Sequence, residues 1–345
     1  MFFREFLLKA NTNTTPADTS NKLYTWGLGT SGQLGYPNPY VSFAQISAGT
    51  SHVAAITNDG RLFTWGQNTN GNLGDGTTIN KSSPVQIGTT TWADVSAGAN
   101  ITVAVRGDGQ LYAWGLNAIG QIGDSSTINK SSPVFVGAVG TSWNAISVGA
   151  DHVLATTITK TLYGWGNNTN GQQGRGGVTN QSAPVQIGTK IWNDISAGTS
   201  YSVGIDSNGM LYAWGVNNIN KLGDASITNR SNPIQISTSS WSQVSTSASH
   251  TAAVRADGTL WTWGGSNAIS LYGNQTYSWK SIASNSDGAA AQTVAIRNDD
   301  TLWTWGTNVA GVLGDGTTLT RSSPVQIGTN AWSSITVGAT HAAAI

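Results

Sequence analysis

Trp92-Ala-Asp-Val-Ser-Ala-Gly98, Ile101-Thr-Val-Ala-Val-Arg106, Leu111-Tyr-Ala-Trp-Gly115 and Ser131-Ser-Pro-Val-Phe-Val-Gly137 are four short β-type runs within one continuous stretch. Asp108-Gly109 joins the second to the third as a tight hairpin, because both residues tolerate positive φ. A polar, Gly-rich loop through Gly120-Gln-Ile-Gly123-Asp124 joins the third to the fourth. Pro133 sits near the start of its run, where a missing N–H is tolerated. Four antiparallel strands in one unit are the material of a propeller blade.

The unit recurs. Trp-Gly stands at Trp26, Trp65, Trp114, Trp165, Trp214, Trp263 and Trp305, at intervals of 39, 49, 51, 49, 49 and 42 residues. A period in this range marks a supersecondary unit that buries its faces against its neighbours. The seventh unit is split. From Trp305 to Ile345 is 40 residues, and nine residues ending at Trp26 restore the 49-residue spacing. The reading is therefore an all-β, seven-bladed β-propeller of four-stranded antiparallel blades. It is closed by an N-terminal strand, residues 18–27, pairing with the C-terminal half-blade. Residues 1–17 form a leader and residues 18–345 a single propeller domain.

The pattern Gly-x-x-His, apolar strand, Asp-Gly, Leu-aromatic-x-Trp-Gly, Gly-Gln-Leu-Gly resembles the RCC1 (regulator of chromosome condensation) repeat family. Here it reads Gly49-Thr-Ser-His52, Asp59-Gly60, Leu62-Phe-Thr-Trp-Gly66 and Gly71-Asn-Leu-Gly74, and Gly32-Gln-Leu-Gly35 keeps the last element literally. The resemblance covers about residues 21–345 and implies a seven-bladed ring. It leaves function open, since similar propellers serve as exchange factors, enzyme inhibitors and adhesive or scaffold modules.

Composition narrows the classes. Of 345 residues 9% are charged, Lys plus Arg equals Asp plus Glu, and the sole Glu is Glu5. That balance lacks the basic footprint of nucleic-acid binding. There is no Cys, hence no disulfide, thiolate metal site or thiol nucleophile. No apolar run reaches the roughly 18 residues of a membrane helix. Arg4, Glu5 and Lys9 interrupt the apolar start, so it lacks the core of a signal peptide.

The residues that could carry chemistry are periodic. His52, His152, His250 and His341 share one slot, filled elsewhere by Ile101, Tyr201 and Gln292. Ligands on separate blades do not converge on one metal by default. Asp59, Asp108 and Asp257 occupy hairpin turns, and Asp75, Asp124, Asp224 and Asp315 follow the loop's Leu/Ile-Gly. Turn chemistry accounts for both sets. No nucleophile–base or paired-carboxylate set emerges, so we expect no enzyme, cofactor or metal site. All fifteen Trp fall on repeat positions: the seven Trp-Gly residues, six before Ile/Val-Ser (Phe43 being the seventh member), and Trp261 and Trp303 in a Tyr/Phe slot. They are expected to pack between blades.

The clues to function lie where the repeat fails. The units after Trp26 and Trp263 are short and lack the Ser-x-Pro strand seen at Pro84, Pro133, Pro184, Pro233 and Pro324. They carry Tyr36, Tyr40, Tyr272 and Tyr277, and only the split blade separates them. This sector is either a partner surface, where Tyr is enriched, or simply degenerate. The leader holds Phe2, Phe3, Phe6 and Leu7. These suit a docking peptide on its own ring or on another subunit, and the latter is preferred because the ring closes without it. The expected function is a non-enzymatic binding or structural module. Its expected setting is the virion, as a bacteriophage tail, fibre or capsid-decoration protein, with other virion proteins or a host receptor as partners. A secreted or surface propeller acting as adhesin or protein inhibitor is the first alternative. An exchange factor for a small GTPase is the second.

Overall fold

A computed structural model describes residues 22–35, 41–138, 140–265, 267–271, 277–284, 292–309 and 311–345, though not the side chains of 267–270. The described residues contain strands and no helix, and so no helix able to cross a membrane. We number the blades 1–7 by their first strands: Phe43–Ala48, Trp92–Ala97, Trp143–Val148, the end of Gln181–Ala197, Trp241–Thr246, Trp279–Ser284 and Ile335–Val337. Within each blade the strands pair in chain order, all antiparallel. The 17-residue strand Gln181–Ala197 runs unbroken from the outer edge of blade 3 to the inner edge of blade 4, so those two blades share one seven-stranded sheet.

Closure occurs as the spacing requires. Tyr24–Gly27 pairs antiparallel with His341–Ala344, Trp26 opposite Ala342 and Gly27 opposite His341. Leu28 N–H extends the ladder to Thr340 O at 2.8 Å. Blade 7 thus has three strands among the described residues. The other short unit departs from expectation. Blade 5 lacks the Ser-x-Pro motif but not the strand: Asn267–Leu271 pairs with Leu260–Gly264 and completes four.

The Trp-Gly pair has a physical cause. Trp65, Trp114, Trp165 and Trp214 are wholly buried. Each of these four, and Trp26, donates its Nε1–H to a loop carbonyl of the preceding blade, as Trp65 to Gln33 O at 2.9 Å and Trp165 to Gln121 O at 3.0 Å; Trp263 Nε1 has no partner among the described residues. The following Gly has positive φ, 108° at Gly66, and a Cβ there would stand 2.5 Å from Ser51 O. Only Gly lets the chain turn there. The second Trp series packs edge-on against the first, Trp92 on Trp114 with centroids 6.0 Å apart. That is a preferred aromatic geometry.

Around the axis a hydroxyl in six of the seven first strands, Ser in five and Thr in one, spans to the next blade. Ser47 Oγ accepts Ala97 N–H (2.9 Å), Ser147 accepts Ala197 N–H (2.9 Å), and Thr336 accepts Ala48 N–H (2.8 Å). Ser96, Ser196 and Ser245 do the same. Ala283 of blade 6 occupies this position without a hydroxyl. The hairpins lie on one face of the ring, the hairpin face. The long loops after each Trp-Gly lie on the other, the loop face.

Candidate functional site: blade seams and the loop face

The histidines belong to the seams. His52 is fully buried, and its Nε2 lies 2.9 Å from Thr102 Oγ1 in the next blade. Thr102 donates onward to Asn72 O at 2.8 Å, which also receives Trp114 Nε1–H at 3.0 Å. Because the hydroxyl's proton goes to the carbonyl, Nε2 of His52 carries the proton of the His–Thr bond. The relay recurs as His152–Ser202–Gln172 O with Trp214. Tyr201 OH lies 3.0 Å from Thr251 Oγ1, and His250 Nε2 lies 3.2 Å from Thr293 Oγ1. Burial lowers the pKa of His52 to about 3 and of His152, His250 and His341 to about 4, so the rings are neutral at pH 7. His341 also presses on His52 electrostatically.

The slot after each His position matches its neighbour. Polar residues face hydroxyls at four seams, and apolar Ile101 has Val153 at the corresponding place in blade 3. At both seams of blade 7 the match fails. Gln292 of blade 6 has Ala342 in that slot, and its Oε1 is buried without a partner among the described residues. His341 has Val53, and neither ring nitrogen has a partner among them.

Besides the seam pair His152–Ser202, a Ser–His pair arises within blade 5. Ser247 replaces the Gly that precedes each His, where a Cβ at Gly149 would stand 2.8 Å from the His152 ring. His250 is of intermediate burial where His52 and His152 are buried, and its Nδ1 lies 2.7 Å from Ser247 Oγ. Ser247 is itself buried and accepts His250 N–H at 2.9 Å. This makes it part of a local turn rather than a nucleophile open to substrate.

The loop aspartates serve their own loops. Asp75 Oδ1 accepts from Asn68 Nδ2 (3.0 Å), Thr77 N–H (3.0 Å) and Thr77 Oγ1 (2.8 Å), while Lys81 Nζ lies 3.3 Å from Oδ2. The set repeats at Asp124, Asp224 and Asp315, whose pKa values, like that of Asp75, are lowered by these hydrogen bonds against the opposing effect of burial. In blade 3 the charge is exchanged: Arg175 replaces Asp and Gln181 replaces the base, and Arg175 Nε donates to Gln173 Oε1 at 2.9 Å. Lys81, Lys130, Arg230 and Arg321 are thereby neutralised within their own blades, whereas Arg175 meets uncharged acceptors.

Of the sequence-predicted binding residues, Phe2, Phe3, Phe6, Leu7, Tyr36, Tyr40 and Tyr272 lie outside the described residues. Tyr277 is exposed at 45% on one side. The Arg297 guanidinium lies between the rings of Tyr277 and Trp303, 3.4 and 3.5 Å from their centroids, so one ring face is taken within the blade. Sequence reasoning missed a different feature. Ile79, Ile128, Val178, Ile227 and Leu319 are each 58–72% exposed. All five lie in the long loops of blades 1, 2, 3, 4 and 6. Their signal was an aliphatic residue inside the polar loop two or three positions before the basic residue (or Gln181) that opens the outer strand.

The ring thus has seven antiparallel units, each with a Trp-Gly pair, and one blade shared between the termini. The sequence model of the RCC1-like domain matches residues 18–344. The chain belongs to the RCC1-like family. Solved RCC1-like propellers superpose closely. Human WBSCR16 does so at TM-score 0.83 with 17% identity, over 93% of this chain and 98% of that one. Prp20p of Saccharomyces cerevisiae matches at TM-score 0.83 with 18% identity, over 93% and 90%. Yeast RCC1 (Prp20) in its complex with Kap60 matches at 0.82 with 16% identity, over 100% and 95%. At such identities the likeness speaks for the fold. No curated protein matches the sequence. An RCC1-like ring is a protein-interaction fold, and the conserved spacing of this one is spent on the seams.

Proposed function

We propose that this RCC1-like propeller is a non-catalytic binding module that meets a protein partner through its loop face, as a component of a larger assembly. The observation that carries the reading is the set Ile79, Ile128, Val178, Ile227 and Leu319, exposed at related loop positions of five blades. Isolated surface aliphatics need no explanation. Five of them in the corresponding loop of five blades, four beside ion pairs that cancel the local charge, form a repeated surface of low charge. Such a surface favours a broad protein contact over a polyanion or a small charged substrate. The committed histidines and aspartates support the non-catalytic part.

The virion is the setting that low charge, absence of Cys and the richness in Asn, Thr, Ser and Gly fit best, with other structural proteins as partners. Exchange activity on a small GTPase is the second reading. Yeast Prp20p was studied for its binding to Gsp1p and histones, which supports protein binding as a use of this ring.

Ile128→Lys with Ile227→Lys tests the proposal. Both sites are exposed, so unfolding midpoints should stay within about 0.5 kcal/mol of wild type. Quantitative mass spectrometry of purified particles should show the wild-type chain at fixed stoichiometry and the double variant depleted at least tenfold. Equal incorporation rejects the loop face, and absence of the wild-type chain rejects the virion. Accelerated nucleotide release from a GTPase by the wild-type chain would move the assignment to the second reading.

A further inference from the structure

A pocket of about 340 Å³ opens on the hairpin side of blade 1, lined by residues of that blade, on the face whose core is shared with Leu23, Ala343 and Ile345 of blade 7. Phe43, Phe63, Val41 and Pro84 supply its apolar lining, and Arg61, Ser83 and Gln86 its polar lining. Two features of the seam with blade 7 open it. First, Phe43 and Phe63 stand where most blades have Trp and Tyr, so the pair is smaller; their centroids lie 6.4 Å apart. Second, most other seams receive an aliphatic residue from the end of the preceding outer strand. Ile87 packs with Trp92 and Tyr112, and Ile187 with Trp192 and Tyr212. The core at the blade 7–blade 1 seam contains no such residue among the described ones.

The path of the chain points to an occupant. The closing strand Tyr24–Gly27 runs from the hairpin face toward the loop face, as its counterparts do. Residues 1–21 therefore join the ring on the hairpin face, one blade from the pocket. Leu23 lies in the same core cluster as Phe43, Val41 and Phe63. Between Leu7 and Lys22 lie fourteen residues, which span up to roughly 45–50 Å when extended. Slack of that length costs little closure entropy and holds the leader near the pocket at an effective concentration on the order of millimolar. The chemistry matches. Phe2, Phe3, Phe6 and Leu7 are apolar, as are Val41, Phe43, Phe63 and Pro84 of the pocket, while Arg61 at its rim is already paired with Asp59.

We infer that this pocket, on the blade 7 side of blade 1, is the seat of the phenylalanines of the chain's own leader. The leader then fills the space left beside the smaller Phe43–Phe63 pair. The sequence alone favoured another subunit; the short path and the tether favour the same ring. This inference does not depend on the loop-face assignment, which concerns the opposite side of the molecule.

Because the full chain has no Cys, an engineered pair is unique. Phe3→Cys with Ser83→Cys, the latter at an exposed position, is oxidised mildly at micromolar protein. Phe3→Cys with Thr78→Cys on the loop face is the control. We expect an intramolecular disulfide in the first pair, formed on the order of tenfold faster than in the control, as tethering at a fixed seat requires. Equal rates in the two pairs, or no disulfide in either, overturn the seat. A disulfide found between isotopically light and heavy copies overturns the choice of the chain's own leader. None of these outcomes bears on incorporation of the loop-face variants, so the two proposals fail separately.

Discussion

The seam between blades 1 and 2 and the two seams of blade 7 use the same positions with different chemistry. At the first, His52, Thr102, Asn72 O and Trp114 form a buried chain of hydrogen bonds. At the others, Gln292 and His341 are presented to Ala342 and Val53, leaving buried polar atoms unpaired among the described residues. The axial hydroxyl bond is also missing where blade 6 meets blade 7, at Ala283. Blade 7 is therefore fixed by backbone pairing of the two ends of the chain and by apolar packing, with weaker polar contacts to its neighbours. An unpaired buried polar group costs about 1–3 kcal/mol. The closing blade is thus the part of the ring whose seams should open first.

Breaking the regular seam should have the largest effect. Thr102→Val keeps shape but leaves His52 Nε2 without an acceptor and Asn72 O with one donor fewer. We expect a loss of about 1–3 kcal/mol in urea unfolding at pH 7. A loss under about 0.3 kcal/mol would mean that the relay contributes nothing beyond packing.

Converting the defective seam to the regular one should give a smaller change of opposite sign. Val53 is fully buried and occupies the slot of Thr102. Trp65 already donates to Gln33 O at 2.9 Å, as Trp114 does to Asn72 O. Val53→Thr would place a hydroxyl between His341 Nε2 and that carbonyl, satisfying both. A Thr buried without partners destabilises; here we expect a gain of about 0.5–1.5 kcal/mol, and slower amide exchange in His341–Ala344. If the variant is less stable than wild type, the mismatch is not the weakness described above.

These seams mark how far the sequence could be read. The blade count, the pairing of Tyr24–Gly27 with the C-terminal half-blade and the burial of the Trp series were legible, because each is set by a residue type recurring at a fixed spacing. The His–hydroxyl relay was not. Thr102, Ser202, Thr251 and Thr293 differ in type and look like ordinary strand residues until His52, His152, Tyr201 and His250 are seen across the seam from them. Ser247 likewise read as a lapse of the repeat, and only its contact with His250 gives it a consequence. The exposed aliphatics were hidden for the opposite reason: Ile79 and Ile227 occupy neighbouring, not identical, positions of a variable loop.

The smallest expected effect concerns the charge placed on the inner strands. Asp194 Oδ2 accepts Val244 N–H of the next blade at 2.8 Å, and Oδ1 accepts Ile195 N–H at 3.0 Å. Gln243 performs the same service for Ile282 N–H at 2.9 Å without a charge. Burial pushes the Asp194 pKa up to about 6, against these hydrogen bonds, which lower it. A carboxyl that binds its proton more tightly when folded stabilises the ring fully below its unfolded pKa, near 4, and loses that contribution as pH rises through 6. The buried histidines act in the reverse sense, costing stability as pH falls from about 6.5 toward 4, but they are common to both proteins and cancel in a difference. Asp194→Gln should therefore gain on wild type between pH 4 and pH 6 and hold a constant advantage from pH 7 to 8, measured as the difference in urea midpoints. A difference independent of pH would show that the carboxylate is solvated from the axis and that the inner ring tolerates charge as readily as amide.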